Sequence, residues 1–227
     1  LGLSIEPRIK SCSLPVQASR CQHVIPTLSR LALFSLSWPS AQAMEANKVA
    51  VLLGYGPGIG KAVATKWTAN GFRVAIVART LEKLEEACKE IPGTTPFACD
   101  ISDSAKLANT LTDIKTKMGP VDHLIFNAGS GVWKKYDEVG VEQLEMAMKI
   151  NVFALLTATQ SVCPTMAERG GGTVIVTGAT ASLRGMPFTS VFASAKAAQK
   201  SLAQSIARQM WEEGVHICYA IIDAVIG

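Results

Sequence analysis

The segment Val49-Ala-Val-Leu-Leu-Gly54-Tyr-Gly-Pro-Gly58-Ile-Gly60-Lys61 decides the fold of this chain. It reads as an apolar strand, a glycine-rich turn and the opening of a helix. Glycine lets the backbone turn tightly and approach a phosphate, and the helix N-terminus offers unpaired N–H groups with a positive partial charge. A glycine turn can be purely structural, but between a strand and a helix it favours nucleotide binding. The first candidate cofactor-binding residues are therefore Gly54, Gly58, Ile59 and Gly60.

Short β-rich runs alternate with longer amphipathic stretches throughout the chain after Met44. The predicted strands cover Lys48 to Leu53, Arg73 to Ala78, Thr95 to Cys99, Val121 to Phe126, Gly172 to Thr177 and His216 to Ile222. This alternation is typical of a parallel sheet with helices on both faces. We therefore predict an α/β fold, a Rossmann-type doubly wound parallel sheet, formed by one domain over residues 44–227.

Residues 1–43 differ in composition from the rest of the chain. They are Ser-rich and carry four basic residues against Glu6 alone, which makes +3 of the net charge of +4. Three interpretations stay open: an organelle transit peptide, a secretory signal, or sequence upstream of a true start at Met44, which is favoured. We expect a cytoplasmic protein, or a mitochondrial or other organelle protein if the leader is genuine.

Several other classes of partner are disfavoured by composition. The part of the chain after residue 43 is close to neutral, so the basic balance is no argument for nucleic acid. No apolar run approaches the roughly 20 residues that cross a bilayer, so no membrane partner is expected. The six cysteines form no C-x-x-C pair and share no ligand spacing with the three histidines, so neither a metal site nor a disulfide framework is expected.

The end of the second predicted strand bears on the choice of cofactor. An NAD-binding protein would place Asp or Glu there to accept from the ribose hydroxyls, but the sequence has Ala78-Arg79-Thr80. An Arg can pair with a 2'-phosphate, although a solvated Arg at a strand end is the simpler alternative. We therefore predict NADP(H) as the cofactor, with NAD less favoured.

Three further motifs complete a pattern. Asp100 and Ile101 follow the third strand, Asn127-Ala128-Gly129 follows the fourth, and Asn151 and Lys196 lie in two long predicted helices. With the glycine turn, these motifs resemble the short-chain dehydrogenase/reductase family from about Lys48 to the end of the chain. The resemblance implies that Asp100 contacts the adenine, that residues 127–129 line the cofactor site, and that Asn151 holds a water in a proton relay. Taken singly, Asp100 could only cap the next helix and Asn127 could only serve a turn.

The family's catalytic Tyr-x-x-x-Lys motif appears here as Phe192-Ala-Ser-Ala-Lys196. In the family the Tyr exchanges a proton with the substrate oxygen, a Ser on the preceding loop binds the same oxygen, and the Lys lowers the pKa of the Tyr and holds the nicotinamide ribose. Alignment of that loop puts Ala179, 13 residues before Phe192, at the Ser position. The resemblance therefore points to a divergent subgroup in which Lys196 and Asn151 are the remaining catalytic candidates.

Two functions are compatible with this pattern. The first is an NADP(H)-dependent oxidoreductase acting on a carbonyl or alcohol of a small molecule, with Lys196 as an alternative proton donor if burial lowers its pKa. The second is a catalytically impaired NADP(H)-binding protein that acts as a sensor or partner subunit. The resemblance also implies a homodimer or homotetramer through helices around residues 141–168 and 187–213, and a substrate-covering C-terminal segment beyond Gly227, so that we expect the chain to be incomplete there.

Overall fold

A computed structural model of the protein describes residues 47–223. Residues 1–43 and Met44 lie outside this range, so the three interpretations of the leader stay predictions. Six parallel strands form one sheet in the order β3-β2-β1-β4-β5-β6. The strands are β1 (Val49–Leu53), β2 (Arg73–Ala78), β3 (Thr94–Ala98), β4 (Val121–Phe126), β5 (Gly172–Ala179) and β6 (Val215–Ile222). All six predicted strands are confirmed; β2 and β4 have the predicted bounds, and the ends of the other four differ by one or two residues. The predicted doubly wound parallel sheet is the observed fold.

Helices connect the strands and cover both faces of the sheet. They are α1 (Ile59–Ala69), α2 (Leu81–Glu90), α3 (Ser104–Met118), α4 (Val141–Met148), α5 (Ala154–Glu168) and α6 (Ser190–Met210). A π-helical turn, Lys149–Phe153, joins α4 to α5. The predicted start of α3 is confirmed, because Asp103 caps it by accepting a hydrogen bond from the Lys106 backbone N–H.

The side chains of β1 alternate between two hydrophobic layers. Val49, Val51 and Leu53 pack with α3, α5 and α6, whereas Ala50 and Leu52 pack with α1 and α2. Such a strand is buried on both faces, which explains its uninterrupted apolar sequence. The apolar pattern therefore fixes β1 at the centre of the sheet.

The longest apolar helical stretch runs through the π-helical turn. By length and composition Val141–Glu168 is able to cross a membrane, which the sequence analysis did not foresee. Of its most apolar window, 44% is buried inside the protein. Core helices of soluble proteins pass the same test, so this finding is weak evidence for a membrane span.

The chain order reverses between β1 and β4. From β1 the chain proceeds outward to β2 and β3, then returns to the other side of β1 as β4. Ligands of open α/β sheets bind outside the carboxyl ends of the strands at such a switch point. The glycine turn after β1 and residues 127–129 after β4 meet at this place.

Gly54 occupies a position that requires glycine. Its φ is +93°, and a Cβ there would overlap the backbone of Ala128, the residue that follows β4 by two. Gly56, two residues later in the same turn, has open space where a Cβ would lie and no positive φ. The fold therefore requires glycine at residue 54 and does not require it at residue 56.

We expect Gly54→Ala to lower the free energy of unfolding by about 2 kcal/mol or more, since an L-residue in the left-handed region costs roughly 1–2 kcal/mol before any overlap is counted. Gly56→Ala is the matched control and should change it by less than about 0.5 kcal/mol. Urea unfolding followed by circular dichroism measures both. Equal effects of the two substitutions would contradict this account.

Candidate cofactor cleft and active site

A cleft of about 960 Å³ opens at the carboxyl ends of β1, β2 and β4. Of the predicted cofactor-binding residues, seven line it: Gly54, Arg79, Asp100, Ile101, Asn127, Ala128 and Gly129. The cleft is continuous from Arg79 at the end of β2 to Met146 and Ile150 near the π-helical turn. Sequence motifs that lie up to 75 residues apart are therefore brought to one elongated site, from Gly54 to Gly129.

Gly58, Ile59 and Gly60 lie at the start of α1 and are not among the residues that line the cleft. Gly60 is buried, and a Cβ there would come within 3.0 Å of the Tyr55 Cα. Gly58 is the N-cap residue of α1 and provides no side chain to cap the helix. In the first turn of α1 the Lys61 N–H already donates to the Gly56 carbonyl. The N–H groups of Ile59 and Gly60 precede it, and such groups at a helix N-terminus suit an anion.

Asn127 ties the end of β4 to the glycine turn. Its Nδ2 donates to the Gly54 carbonyl at 2.9 Å, and its Oδ1 accepts from the Thr177 hydroxyl at 3.0 Å. The backbone N–H groups of Asn127 and Ala128 both donate to the Leu53 carbonyl. Asn127 therefore does more than serve a local turn, because it holds three strands in register where the cleft begins.

The end of the cleft beside β2 and β3 carries several charged groups. Arg79 is exposed at the end of β2 and stabilises the charged form of Asp100. Hydrogen bonds from the Ser102 backbone and hydroxyl to Asp100 Oδ1, more than Arg79, hold the pKa of that carboxyl below its usual range. The alternative that Asp100 caps α3 is wrong, since Asp103 does so.

Two carboxylates of α2, Glu86 and Glu90, also line this end of the cleft. Glu90 Oε2 lies 2.6 Å from Lys61 Nζ, and that ion pair raises the pKa of the exposed lysine. Lys83 lines the cleft beside them. The local charge is therefore mixed, and Arg79 is the cation placed at the end of β2 itself.

Lys196 and Asn151 are not among the residues that line the cleft, but they meet behind Gly129, which lines its opposite end. A Cβ at Gly129 would lie 3.4 Å from Lys196 Nζ and 3.5 Å from Asn151 Oδ1. Asn151 lies in the π-helical turn, fully buried, and its Nδ2 donates to the carbonyls of Ser130 and Ala147. Its Oδ1 is buried without a hydrogen-bond partner. An unused acceptor beside the lysine is suited to a hydroxyl group or a water.

Lys196 is 4% exposed, and its Nζ donates to the Thr177 carbonyl at 2.9 Å and to Gln199 Oε1 at 3.0 Å. Burial lowers the pKa of this lysine to about 8, because desolvation disfavours the ammonium form. This is the condition under which the sequence analysis considered Lys196 as an alternative proton donor; whether it acts as one stays a prediction. At neutral pH the group still carries its charge for most of the time.

Phe192 lies on α6, four residues before Lys196, where the sequence analysis expected the family's catalytic phenol to be replaced. Its ring packs on Gly131, where a Cβ would lie 2.5 Å from Phe192 Cδ2, and stacks on Trp133 with centroids 5.4 Å apart. Trp133 is 68% exposed. Ala179 is the last residue of β5 and brings no hydroxyl. Phe192 and Ala179 thus present apolar side chains at the ends of α6 and β5 near this part of the site.

Three contributors to this site were missed by the sequence analysis. Thr177 and Gln199 form the shell of Lys196, and Trp133 covers Phe192. Gln199 follows Lys196 by three residues, so helical spacing alone places the two side chains on one face of α6. No local sequence pattern indicates Thr177 or Trp133. Strand pairing brings Thr177 to the site, and the loop after β4 brings Trp133.

The chain was compared with known proteins. The family profile described as short chain dehydrogenase matches residues 48–224. Oxidoreductase asL5 of Sarocladium schorii is 32% identical over 172 residues, which cover 75% of this chain and 69% of that protein. The 7alpha-hydroxysteroid dehydrogenase of Escherichia coli (strain K12) is 31% identical over 176 residues, which cover 75% of this chain and 68% of that protein.

Two solved structures share the fold and part of the sequence. A metagenomic short-chain oxidoreductase in complex with NADP is 25% identical, with a TM-score of 0.75, over 79% of this chain and 84% of that one. A 7α-hydroxysteroid dehydrogenase complexed with NADH and 7-oxo glycochenodeoxycholic acid is 26% identical, with a TM-score of 0.73, over 77% and 70% of the two chains. One of these relatives holds NADP and the other NADH.

The fold, the cleft and these similarities define the class of protein. The chain belongs to the short-chain dehydrogenase/reductase family, a family of oxidoreductases that use nicotinamide cofactors. The resemblance drawn from the glycine turn, Asn127-Ala128-Gly129 and Lys196 is therefore confirmed. Membership of the family does not decide between NADP and NAD, nor the chemistry beside Phe192. Both depend on the residues of this chain.

Proposed function

We propose that this protein is an NADP(H)-dependent oxidoreductase that acts on a carbonyl or alcohol group of a small molecule. The observation that carries the proposal is the cleft at the switch point, in which Arg79, Asn127 and Gly129 lie along one continuous groove. A nicotinamide cofactor bound there would supply or accept the hydride. The residues of this chain bind and orient that cofactor and the substrate.

Specific residues fit successive parts of such a cofactor. The uncapped start of α1 fits the pyrophosphate, and Asp100 and Ile101 fit the adenine. Arg79 fits a 2'-phosphate, since no carboxylate follows β2 to accept from a free ribose hydroxyl. Lys196 and the unpaired Oδ1 of Asn151 fit ribose hydroxyls at the nicotinamide end, because one donates and the other accepts.

The position of Phe192 limits how a proton can reach the substrate. A phenylalanine ring has no proton to give, and Ala179 cannot bind the substrate oxygen. Within residues 47–223, Lys196 is the ionisable group at this end of the cleft with a lowered pKa, close to the range that suits general acid catalysis. We therefore assign hydride transfer to the cofactor. The proton would come slowly, from Lys196 or from solvent.

A second candidate function rests on the same aromatic packing. If the Phe192 and Trp133 rings close the place of the proton donor, the protein binds NADP(H) without turnover, as a sensor or partner subunit. The two candidates share the cofactor and differ in chemistry. Restoring the missing hydroxyl groups separates them.

We expect Arg79→Ala to weaken NADPH binding by about 10- to 100-fold, since a hydrogen bond to a charged group contributes roughly 1.5–3 kcal/mol. Binding of NADH, which has no 2'-phosphate, should stay within about twofold. Arg208→Ala, which removes an exposed cation from α6, is the control. Calorimetric titration of both nucleotides measures the effect. An equal loss for NADPH and NADH would contradict the assignment of Arg79 to the 2'-phosphate.

The oxidoreductase itself is tested by NADPH oxidation in the full chain with a panel of aldehydes, ketones and diketones. We expect measurable turnover, and a rise of about 100-fold or more in the double variant Phe192→Tyr/Ala179→Ser, because a placed general acid contributes roughly 10²–10⁴-fold. Phe188→Tyr adds the same hydroxyl at an exposed position and should leave turnover unchanged.

The result in the unaltered protein decides between the two candidates. Turnover above the background of a Lys196→Met variant supports the oxidoreductase. Bound NADPH that no substrate oxidises, followed by turnover only in the double variant, supports the cofactor-binding protein without catalysis. The proton path assigned above would then be wrong, while the cofactor site would stand.

A further inference from the structure

Gln199 is a fully buried polar residue that the family motifs do not include. It lies on α6 three residues after Lys196, and its side chain is 0% exposed. Its Oε1 accepts from Lys196 Nζ at 3.0 Å, and its Nε2 donates to the Asn151 carbonyl at 2.8 Å. One amide therefore connects the lysine of α6 to the π-helical turn.

Packing alone does not explain a glutamine at this position. A buried amide costs free energy unless its groups find partners, and an apolar side chain of similar volume would fill the space without that cost. Here both ends of the amide are bonded, and both partners belong to residues that lie beside Gly129 of the cleft. The contribution of Gln199 therefore lies in how its two hydrogen bonds affect Lys196 and Asn151.

Among residues 47–223, the groups that face the Lys196 ammonium are uncharged. Thr177 of β5 and Gln199 of α6 accept from it, and Gly129 and Asn151 face it from the β4 loop and the π-helical turn. The phenol of Tyr219 on β6 donates to the backbone carbonyl of Lys196 at 3.2 Å, and burial raises the pKa of that phenol, so it stays neutral. Burial is the single cause that lowers the pKa of Lys196.

Two neutral acceptors thus oppose the cost of burying this cation. The Thr177 acceptor is a backbone carbonyl that any residue would supply, whereas the second acceptor depends on the identity of residue 199. An amide also differs from a water or a hydroxyl, because those groups can accept one proton while they donate another and so relay it, whereas an amide does not readily do so. The link from Lys196 to the Asn151 carbonyl is therefore a fixed dipole.

We propose that Gln199 is a positioning residue that holds the Lys196 ammonium at the cofactor cleft and stabilises its charge through the bond from Nζ to Oε1. The consequence for cofactor binding rests on the function proposed above. The coupling between Gln199 and Lys196 does not rest on that function, so it is tested in protein without nucleotide.

The experiment follows the charge of Lys196 directly. The full chain is labelled with ¹³C at lysine Cε, and the Lys196 signal is assigned by its loss in Lys196→Met. Its shift is then recorded against pH for the unaltered protein, for Gln199→Glu and for Gln199→Met. Gln204→Glu, an exposed position on the same helix, controls for the added negative charge.

The unaltered protein is expected to titrate with a midpoint at about 8. Gln199→Glu places a carboxylate beside the ammonium and should raise the midpoint by about one pH unit or more. Gln199→Met removes an acceptor at similar volume and should lower it. Gln204→Glu should leave it unchanged. A purely structural role of Gln199 would not move the midpoint in opposite directions.

Two results would overturn the proposal: midpoints that stay the same in both Gln199 variants, or midpoints that move in the same direction. A variant that does not fold shows all lysines near about 10.4 and is recognised by that; the other variant then decides by the direction of its shift. Opposite shifts in a protein that binds no NADPH would support the role of Gln199 while the proposed function failed.

Discussion

Gly54 and Ala128 approach each other backbone to backbone where β1 and β4 end, and no side chain fits between them. This contact depends on the left-handed conformation of Gly54, which turns the chain out of β1 and into α1. Asn127 secures it from the other side through the Gly54 carbonyl. The cleft forms because β1 and β4 end at the same place and the segments that follow them run in different directions.

From that point the hydrogen bonds continue to the opposite end of the site. Thr177 donates its hydroxyl to Asn127 and accepts from Lys196 through its backbone carbonyl. Gln199 then links Lys196 to Asn151. The lysine is thus held by strand, helix and π-helical turn together, which keeps a buried cation in one place at the cost of a lowered pKa. Phe192, on the same helix, offers only an apolar ring to this network.

The sequence predicted the architecture well because its signals are local. Short β-rich runs of five to seven residues predicted the strands, and Asp103 predicted the start of α3. The glycine turn predicted the place of the cofactor cleft, and the resemblance predicted that Asn127 and Lys196 would reach it. The strand ends were predicted less accurately than the strands themselves. For example, β5 extends to Ala179 because it pairs with β6, and the sequence of β5 alone does not indicate that contact.

The parts that could not be predicted depend on tertiary contacts. The stacking of Trp133 on Phe192 requires the loop after β4 to fold over α6. The π-helical turn interrupts what the apolar pattern of residues 141–168 presents as one long helix. Glu86 and Glu90 face the cleft only because α2 packs beside β2, and they make the charge around Arg79 more mixed than the Ala78-Arg79-Thr80 segment indicates.

The central claim is that this cleft binds NADP(H). It is tested most directly by titrating the unaltered full chain with NADPH and with NADH and following the fluorescence of the reduced nicotinamide. The account predicts saturable binding of both nucleotides, with NADPH bound at least about 10-fold more tightly through its 2'-phosphate. Binding of neither nucleotide would contradict the claim, and tighter binding of NADH would contradict the role given to Arg79.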